Sequence, residues 1–167
     1  SSIAVGVKNK KKINEKNNFM PFSHYGLNKK ISEDICKFYV KKFKLNITIL
    51  RISSLFGVGL KKQFIYDAII KIINNDNFFW GTGKEVRDFI HINDVTKIID
   101  FIIKKKIVRT LNVGSGKGYR LNYIIKNIGI QLNIKPNILE KLQSTKIVAD
   151  ITRLKSYGFK FNKNAKH

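Results

Sequence analysis

A chain of 167 residues with 43% hydrophobic content has the size and apolar share of one globular domain, long enough to bury a core. Its single cysteine, Cys36, excludes an internal disulfide and makes a reducing, cytoplasmic setting the default, while lysines and asparagines break every apolar run short of the roughly 20 residues that span a bilayer. The formal charge of +22 raises the reading of a basic nucleic-acid-binding domain, but it ranks second: the lysines are spread evenly among isoleucines and asparagines, and the densest cluster, Lys8 to Lys12, has no interleaved aromatics.

The chain opens on Ser1-Ser2-Ile3 with no methionine and no signal-peptide pattern. Pro21 and Ser23 mark a loop and a helix entry, after which Leu27, Ile31, Ile35, Phe38 or Tyr39, and Phe43 recur at the spacing of an apolar helical stripe. Tyr25, Lys29, Glu33 and Cys36 fall on roughly the opposite side, so the pattern predicts a helix with one face that packs and one that is free to work. Tyr25 and Lys29 stand about one turn apart on that second face, where an ammonium stabilises a phenolate. They form a candidate proton-transfer pair, although the same spacing also suits an exposed pair on a lysine-rich helix.

Leu45 to Ile52 is an apolar, β-branched run of the kind found in buried parallel strands, with Arg51 near its C-terminal end, where such strands open onto a ligand crevice. Ser53 to Gly59 reads as a loop, and Gln63 to Ile73 as a helix stopped by Asn74-Asn75-Asp76-Asn77. Phe78 to Trp80 is a short strand, Gly81-Thr82-Gly83 a turn, and Arg87 begins another strand. His91 lies in the alternating stretch Phe89 to Ile92 and reads as structural; neither His24 nor His167 makes a triad or a metal set with it. Asn93-Asp94 suits the cap of a helix over Val95 to Lys105. Thr110 to Val113 reads as the last strand, followed by the tight turn Gly114-Ser115-Gly116-Lys117-Gly118. That turn is not a P-loop, because Gly118 follows Lys117, nor a dinucleotide fingerprint, because its glycines fall at i, i+2 and i+4. A helix over Asn122 to Leu132, a strand over Ile138 to Leu142, and a short helix capped by Asp150 and closed by Gly158 complete the pattern.

Taken in order, Ser1-Ser2-Ile3-Ala4-Val5-Gly6, Glu15, Pro21 to Lys29 and Glu33 resemble the catalytic segment of the extended short-chain dehydrogenase/reductases, in their NAD-dependent nucleotide-sugar epimerase/dehydratase group. The resemblance, UDP-glucose 4-epimerase-like, runs on through Leu50-Arg51 to Gly57-x-Gly59, Gly81-Thr82-Gly83, Arg87 to Val95, Leu111 to Gly116, Ala149-Asp150-Ile151 and Tyr157-Gly158-Phe159. It implies an α/β fold: a partial Rossmann-like fragment of a doubly wound parallel sheet, residues 1–59 and 90–116, plus a small α/β substrate-binding domain, residues 60–89 and 117–167. No Gly-x-x-Gly-x-x-Gly or Gly-x-Gly-x-x-Gly occurs, so the resemblance implies a C-terminal portion lacking a glycine-rich half of roughly 100 residues or more upstream, and a chain that alone neither binds NAD tightly nor turns over.

The resemblance also implies roles. Tyr25 and Lys29 would be catalytic and touch the cofactor; Ser2, 23 residues before Tyr25, would bond the reacting oxygen, with Ser1 the fallback and a cofactor neighbour. Ser54 would border cofactor and sugar, and Arg87 would grip the substrate diphosphate, the alternative for Arg87 being an ion pair with Asp88 or Asp94. Two departures stand out: Gly6-Val7 replaces the family's tyrosine-glycine, and Ser54 its asparagine. Ile3 and Ala4 stand where dehydratases carry an aspartate and a glutamate, which leans toward epimerisation. The implied protein is a nucleotide-sugar 4-epimerase using NAD, with NADP left open, and a homodimer through the Tyr25 helix. A reductase or dehydratase of the same family, and an inactive fragment serving as an interaction module, remain the alternatives.

Overall fold

The computed structural model describes residues 1–3, 12–16, 21, 23–76, 78–79, 83–138 and 145–161; the expectations that fall on Ala4, Lys8 to Lys11, Trp80, Gly81-Thr82, residues 139–142 and His167 lie outside the described residues. In chain order the elements are α1 (His24–Phe43), β1 (Ile49–Ile52), β2 (Ser54–Phe56), α2 (Phe64–Ile73), β3 (Phe78–Phe79), β4 (Val86–Arg87), β5 (Phe89–His91), α3 (Ile92–Lys104), β6 (Thr110–Val113), β7 (Tyr119–Arg120), α4 (Leu121–Leu132), β8 (Asn137–Ile138), β9 (Lys146–Ile147) and α5 (Thr152–Ser156).

Ser23 starts α1 as its N-cap, extended and accepting from the Gly26 amide at 3.1 Å, and Lys44 ends it in the left-handed region. The helix forms where the spacing predicts it, but its faces are the reverse of the expectation. Leu27, Ile31, Ile35, Phe38, Tyr39 and Phe43 are exposed, whereas Gly26 and Glu33 are buried. The cause is electrostatic. Arg51 donates from Nε to Glu33 Oε1 at 2.8 Å and from Nη2 to Glu33 Oε2 at 2.7 Å, in a pair whose side chains are 4% and 1% exposed. A buried charge without its partner is very costly, so the pair commits the polar face of α1 to β1 and leaves the apolar stripe outside. Arg51 therefore turns inward instead of opening onto a crevice.

Parallel pairing dominates. β1 runs beside β6, Ile49 opposite Thr110 through Ile52 opposite Val113, and β2 runs beside β5. β3 pairs with β8, while β4 is the centre of a three-stranded sheet, antiparallel to β7 and parallel to β9. Single parallel bridges tie Ser2 to Ile52 and Ile13 to Ala149. Pairing with β6 begins only at Ile49, so the predicted strand loses its first half. The predicted loop from Ser53 instead contains β2, because the backbone changes partner there: the Ser53 amide donates to Val113 O and the Ser54 amide to Asp88 O. Asn93-Asp94 do not cap α3. His91 does, its Nδ1 accepting from the Asn93 amide at 3.2 Å, with its ring edge-on to Phe56 at 5.1 Å, a structural role as expected. Before α5, Asp150 Oδ1 accepts from the Thr152 amide at 2.9 Å.

Three apolar clusters hold these pieces. Ile90, Val95, Ile98, Ile102, Leu111 and Val113 pack between α3 and the parallel strands and also take in Leu154 of α5. Ala68, Ile72, Phe79 and Ile125 join α2 to α4. Ile3, Ile13, Ile147, Ala149 and Ile151 bind the opening segment to β9 and the stretch after it. Among the described residues no helix is long and apolar enough to cross a membrane.

Removing either partner of the buried pair, by Glu33→Gln or Arg51→Met, is expected to lower unfolding free energy by about 3–5 kcal/mol in urea titrations, with the double variant losing less than the sum. Burial pushes the Glu33 carboxyl up, but bonds from Arg51 and Ser1 outweigh it and hold the group below its usual 4.5. With the folded value below the unfolded one, this stabilisation is present above about pH 4.5 and is lost as pH falls through the depressed value. Acid unfolding of Glu33→Gln should lack that component.

Candidate active site

The same ion pair aims the head of α1. Glu33 lies one turn beyond Lys29 and two beyond Tyr25, so fixing Glu33 against Arg51 turns Tyr25 and Lys29 toward the side of the helix that meets β1. Lys29 Nζ lies over the Tyr25 ring at 5.5 Å from its centroid, and Tyr25 is 56% exposed. Ser1 Oγ donates to Glu33 Oε1 at 2.6 Å, and the Ser1 carbonyl accepts from the Ile52 amide at 3.4 Å. These bonds, with the bridge from Ser2 to Ile52, set Ser1 and Ser2 beside the C-terminal end of β1. The Ser1 hydroxyl is thereby committed to Glu33. Ser54 begins β2 just past the same end of β1 and is half-buried.

Arg87 is held within its own sheet. Its Nη1 donates to the carbonyls of Val86 and Thr145, both at 3.0 Å, and its Nη2 to Thr145 Oγ1 at 2.7 Å. Burial pushes the guanidinium below its usual pKa, and Glu85 pulls it back up. Arg87 sits opposite Ile147 in register, and Ile147 clusters with Ile3 and Ile13. Opposed residues share a face, so the face carrying Arg87 is turned toward the segment that carries Ser2.

Neither ion pair considered for Arg87 forms with Asp88 or Asp94. Asp94 faces Lys97 at 3.8 Å. Asp88 is buried and accepts from the Ser115 amide at 2.8 Å, Ser115 Oγ at 2.7 Å, the Gly116 amide at 3.0 Å and the Ala149 amide at 3.2 Å. Burial pushes its carboxyl up, and these four donors hold it down only in part, leaving it above the usual carboxylate range. Sequence reasoning missed Asp88 and Thr145 as organising residues. The only available signal was the charged Arg87-Asp88 pair between apolar neighbours, and Thr145 stands in a stretch without periodicity.

Two surface hollows of about 390 Å³ each are lined elsewhere, one by residues such as Glu15, Asp150 and Arg153, the other by residues such as Leu50, Ile102 and Val108. Neither lining includes Tyr25, Lys29, Ser2, Ser54 or Arg87, and Tyr25 lies on open surface. The phenol of Tyr25 is exposed, and the ammonium of Lys29 lies against its ring. The turn at Gly114 to Gly118 does not fit the pyrophosphate of a dinucleotide, because its Ser115 and Gly116 amides already donate to Asp88.

The profile of the NAD dependent epimerase/dehydratase family matches residues 1–114, and the chain belongs to that family. A protein of Methanocaldococcus jannaschii with the provisional name UDP-glucose 4-epimerase is 27% identical over 162 residues, which cover 89% of this chain and 51% of that one. A UDP-N-acetylglucosamine 4-epimerase of Methanobrevibacter ruminantium, solved with UDP-N-acetylmuramic acid, is 25% identical with a TM-score of 0.83, over 98% of this chain and 56% of its own. MoeE5, solved with UDP-glucose and NAD, is alike in fold at 21% identity, with a TM-score of 0.86 over 99% of this chain and 59% of its own. This chain thus spans about half the length of the M. jannaschii relative. The alignments correct the expectations of a partial Rossmann-like fragment and of a C-terminal portion: 98–99% of this chain aligns with these Rossmann-like α/β structures, over 56–59% of their own length.

Asp88→Ala removes the acceptor shared by three amides. Hydrogen exchange at Ser115, Gly116 and Ala149 is expected to quicken by about tenfold or more, with smaller changes in α2 and α4, as read by NMR.

Proposed function

We propose that the protein acts on a nucleotide-sugar as an NAD-using 4-epimerase, and the observation that carries this reading is the Tyr25–Lys29 pair at the head of α1, the ammonium 5.5 Å from the centroid of an exposed phenol ring. Tyr25, as phenolate, takes the proton of a sugar hydroxyl, and Ser2 donates a hydrogen bond to the same oxygen as charge develops. Lys29, whose ammonium lies over the Tyr25 ring, would bond ribose hydroxyls of the cofactor. Arg87, aimed by Thr145, holds the diphosphate with its planar fork. Ser54 borders sugar and cofactor. NAD, when bound, accepts and returns the hydrogen with its electron pair; family membership supports NAD, with NADP left open. Tyr25 would give the same proton back to the oxygen, so that its own proton balance closes.

Ile3 supports epimerisation over dehydration, because it is buried in an apolar cluster and offers no acid or base. A reductase on the same substrates is the second reading. The part with α1, β1, β2, α3 and β6 is assigned to cofactor and catalysis, and the part with α2, β4, α4 and β9 to the nucleotide-sugar; α5 packs with the first through Leu154. The exposed stripe of α1 supports a homodimer, and the single cysteine suits a reducing, cytoplasmic setting.

Turnover is to be measured as interconversion of UDP-glucose and UDP-galactose with NAD. Tyr25→Phe is expected to cut kcat by roughly 10²–10⁴ with little change in KM, whereas Arg87→Met raises KM. Full activity in Tyr25→Phe would defeat the reading. Sedimentation of Ile31→Lys or Phe38→Glu should report a monomer where the unaltered protein reports a dimer.

A further inference from the structure

β7 is a strand that no sequence pattern announces, yet its register is tightly set. The Leu121 amide donates to Glu85 O at 2.9 Å, and the Asn122 amide to Gly83 O at 2.8 Å. Gly118, just before β7, allows the close approach, since a Cβ there would stand 2.6 Å from a Val86 methyl and 2.7 Å from a Val148 methyl. The outcome is that Tyr119 lies directly opposite Arg87, and Arg120 opposite Val86. Directly opposed residues project on one face of a sheet, and alternation sends their neighbours to the other. One face of the sheet therefore reads, from edge to edge, Tyr119, Arg87, Ile147, with Arg87 tied to Thr145, while Arg120 and Lys146 belong to the other. Tyr119 is 39% exposed at the open edge of the first face.

We propose that Tyr119 is the nucleobase platform of the site: its ring stacks on the base of the nucleoside diphosphate whose diphosphate Arg87 holds. The inference rests on the diphosphate role of Arg87 given above. A guanidinium fork satisfies phosphate oxygens, and a flat, weakly hydrated base finds its best contact on an aromatic face. Base and diphosphate are one ribose apart, and opposed residues in an antiparallel pair stand about 5.5 Å apart at Cα, a spacing of the same order. The contact depends on the ring, not the hydroxyl, because stacking uses the π face.

Calorimetric titration of the purified protein with UDP and with inorganic pyrophosphate tests this. Tyr119→Ala is expected to weaken UDP about tenfold or more while leaving pyrophosphate unchanged, and Tyr119→Phe to keep UDP within about twofold. Arg87→Met should weaken both probes. Unchanged UDP affinity in Tyr119→Ala, or an equal loss for both probes, would overturn the role of Tyr119. Wild-type affinity for pyrophosphate in Arg87→Met would instead overturn the diphosphate reading on which it rests.

Discussion

Two charges taken out of water fix the geometry of this protein. Glu33 on α1 and Arg51 on β1 meet in a double hydrogen bond with almost no exposure, and Ser1 Oγ and the Glu15 carbonyl take up remaining bonding capacity. Desolvation costs several kcal/mol per ion, so the pair tolerates little displacement. Burying one large apolar side chain gains only about 1.5–3 kcal/mol. Turning α1 to bury part of its stripe would strand both charges, which explains why Leu27, Ile31 and Phe38 remain at the surface while Gly26 and Glu33 face inward.

Asp88 plays the corresponding part for the other half. Its side chain gathers Ser115, Gly116 and Ala149, while its backbone carbonyl takes the Ser54 amide and its own amide donates to Ile147 O. One residue thus joins β2, β9 and the turn after β6, and its neighbour Arg87 inherits a fixed position. Crowding at this junction explains Gly114, where a Cβ would collide with Ser53 Oγ and Asp88 Oδ2.

These two anchors place the groups of the candidate site by different routes. Helix rotation decides where Tyr25 and Lys29 face, and sheet register decides where Arg87 faces. Ile3, Ile13 and Ile147, packed together, join the opening segment to β9, the strand beside β4. The chemistry proposed for the protein needs both, since a phenol without a diphosphate grip has nothing to hold the sugar in place.

By itself the sequence determined the extent of α1, its Ser23 cap, the helices α2 and α4 and the strand β6, because each rests on a local period or a local hydrogen bond. It also held the ordered motifs by which the family is recognised, since residue identity along the chain is enough for that. Tertiary structure alone decided which face of α1 is buried, that Ser54 lies in a strand, that His91 and not Asn93 caps α3, and that Tyr119 stands opposite Arg87. Those outcomes come from pairing between distant segments and from the cost of an unpaired buried charge, and neither leaves a periodic trace in the chain.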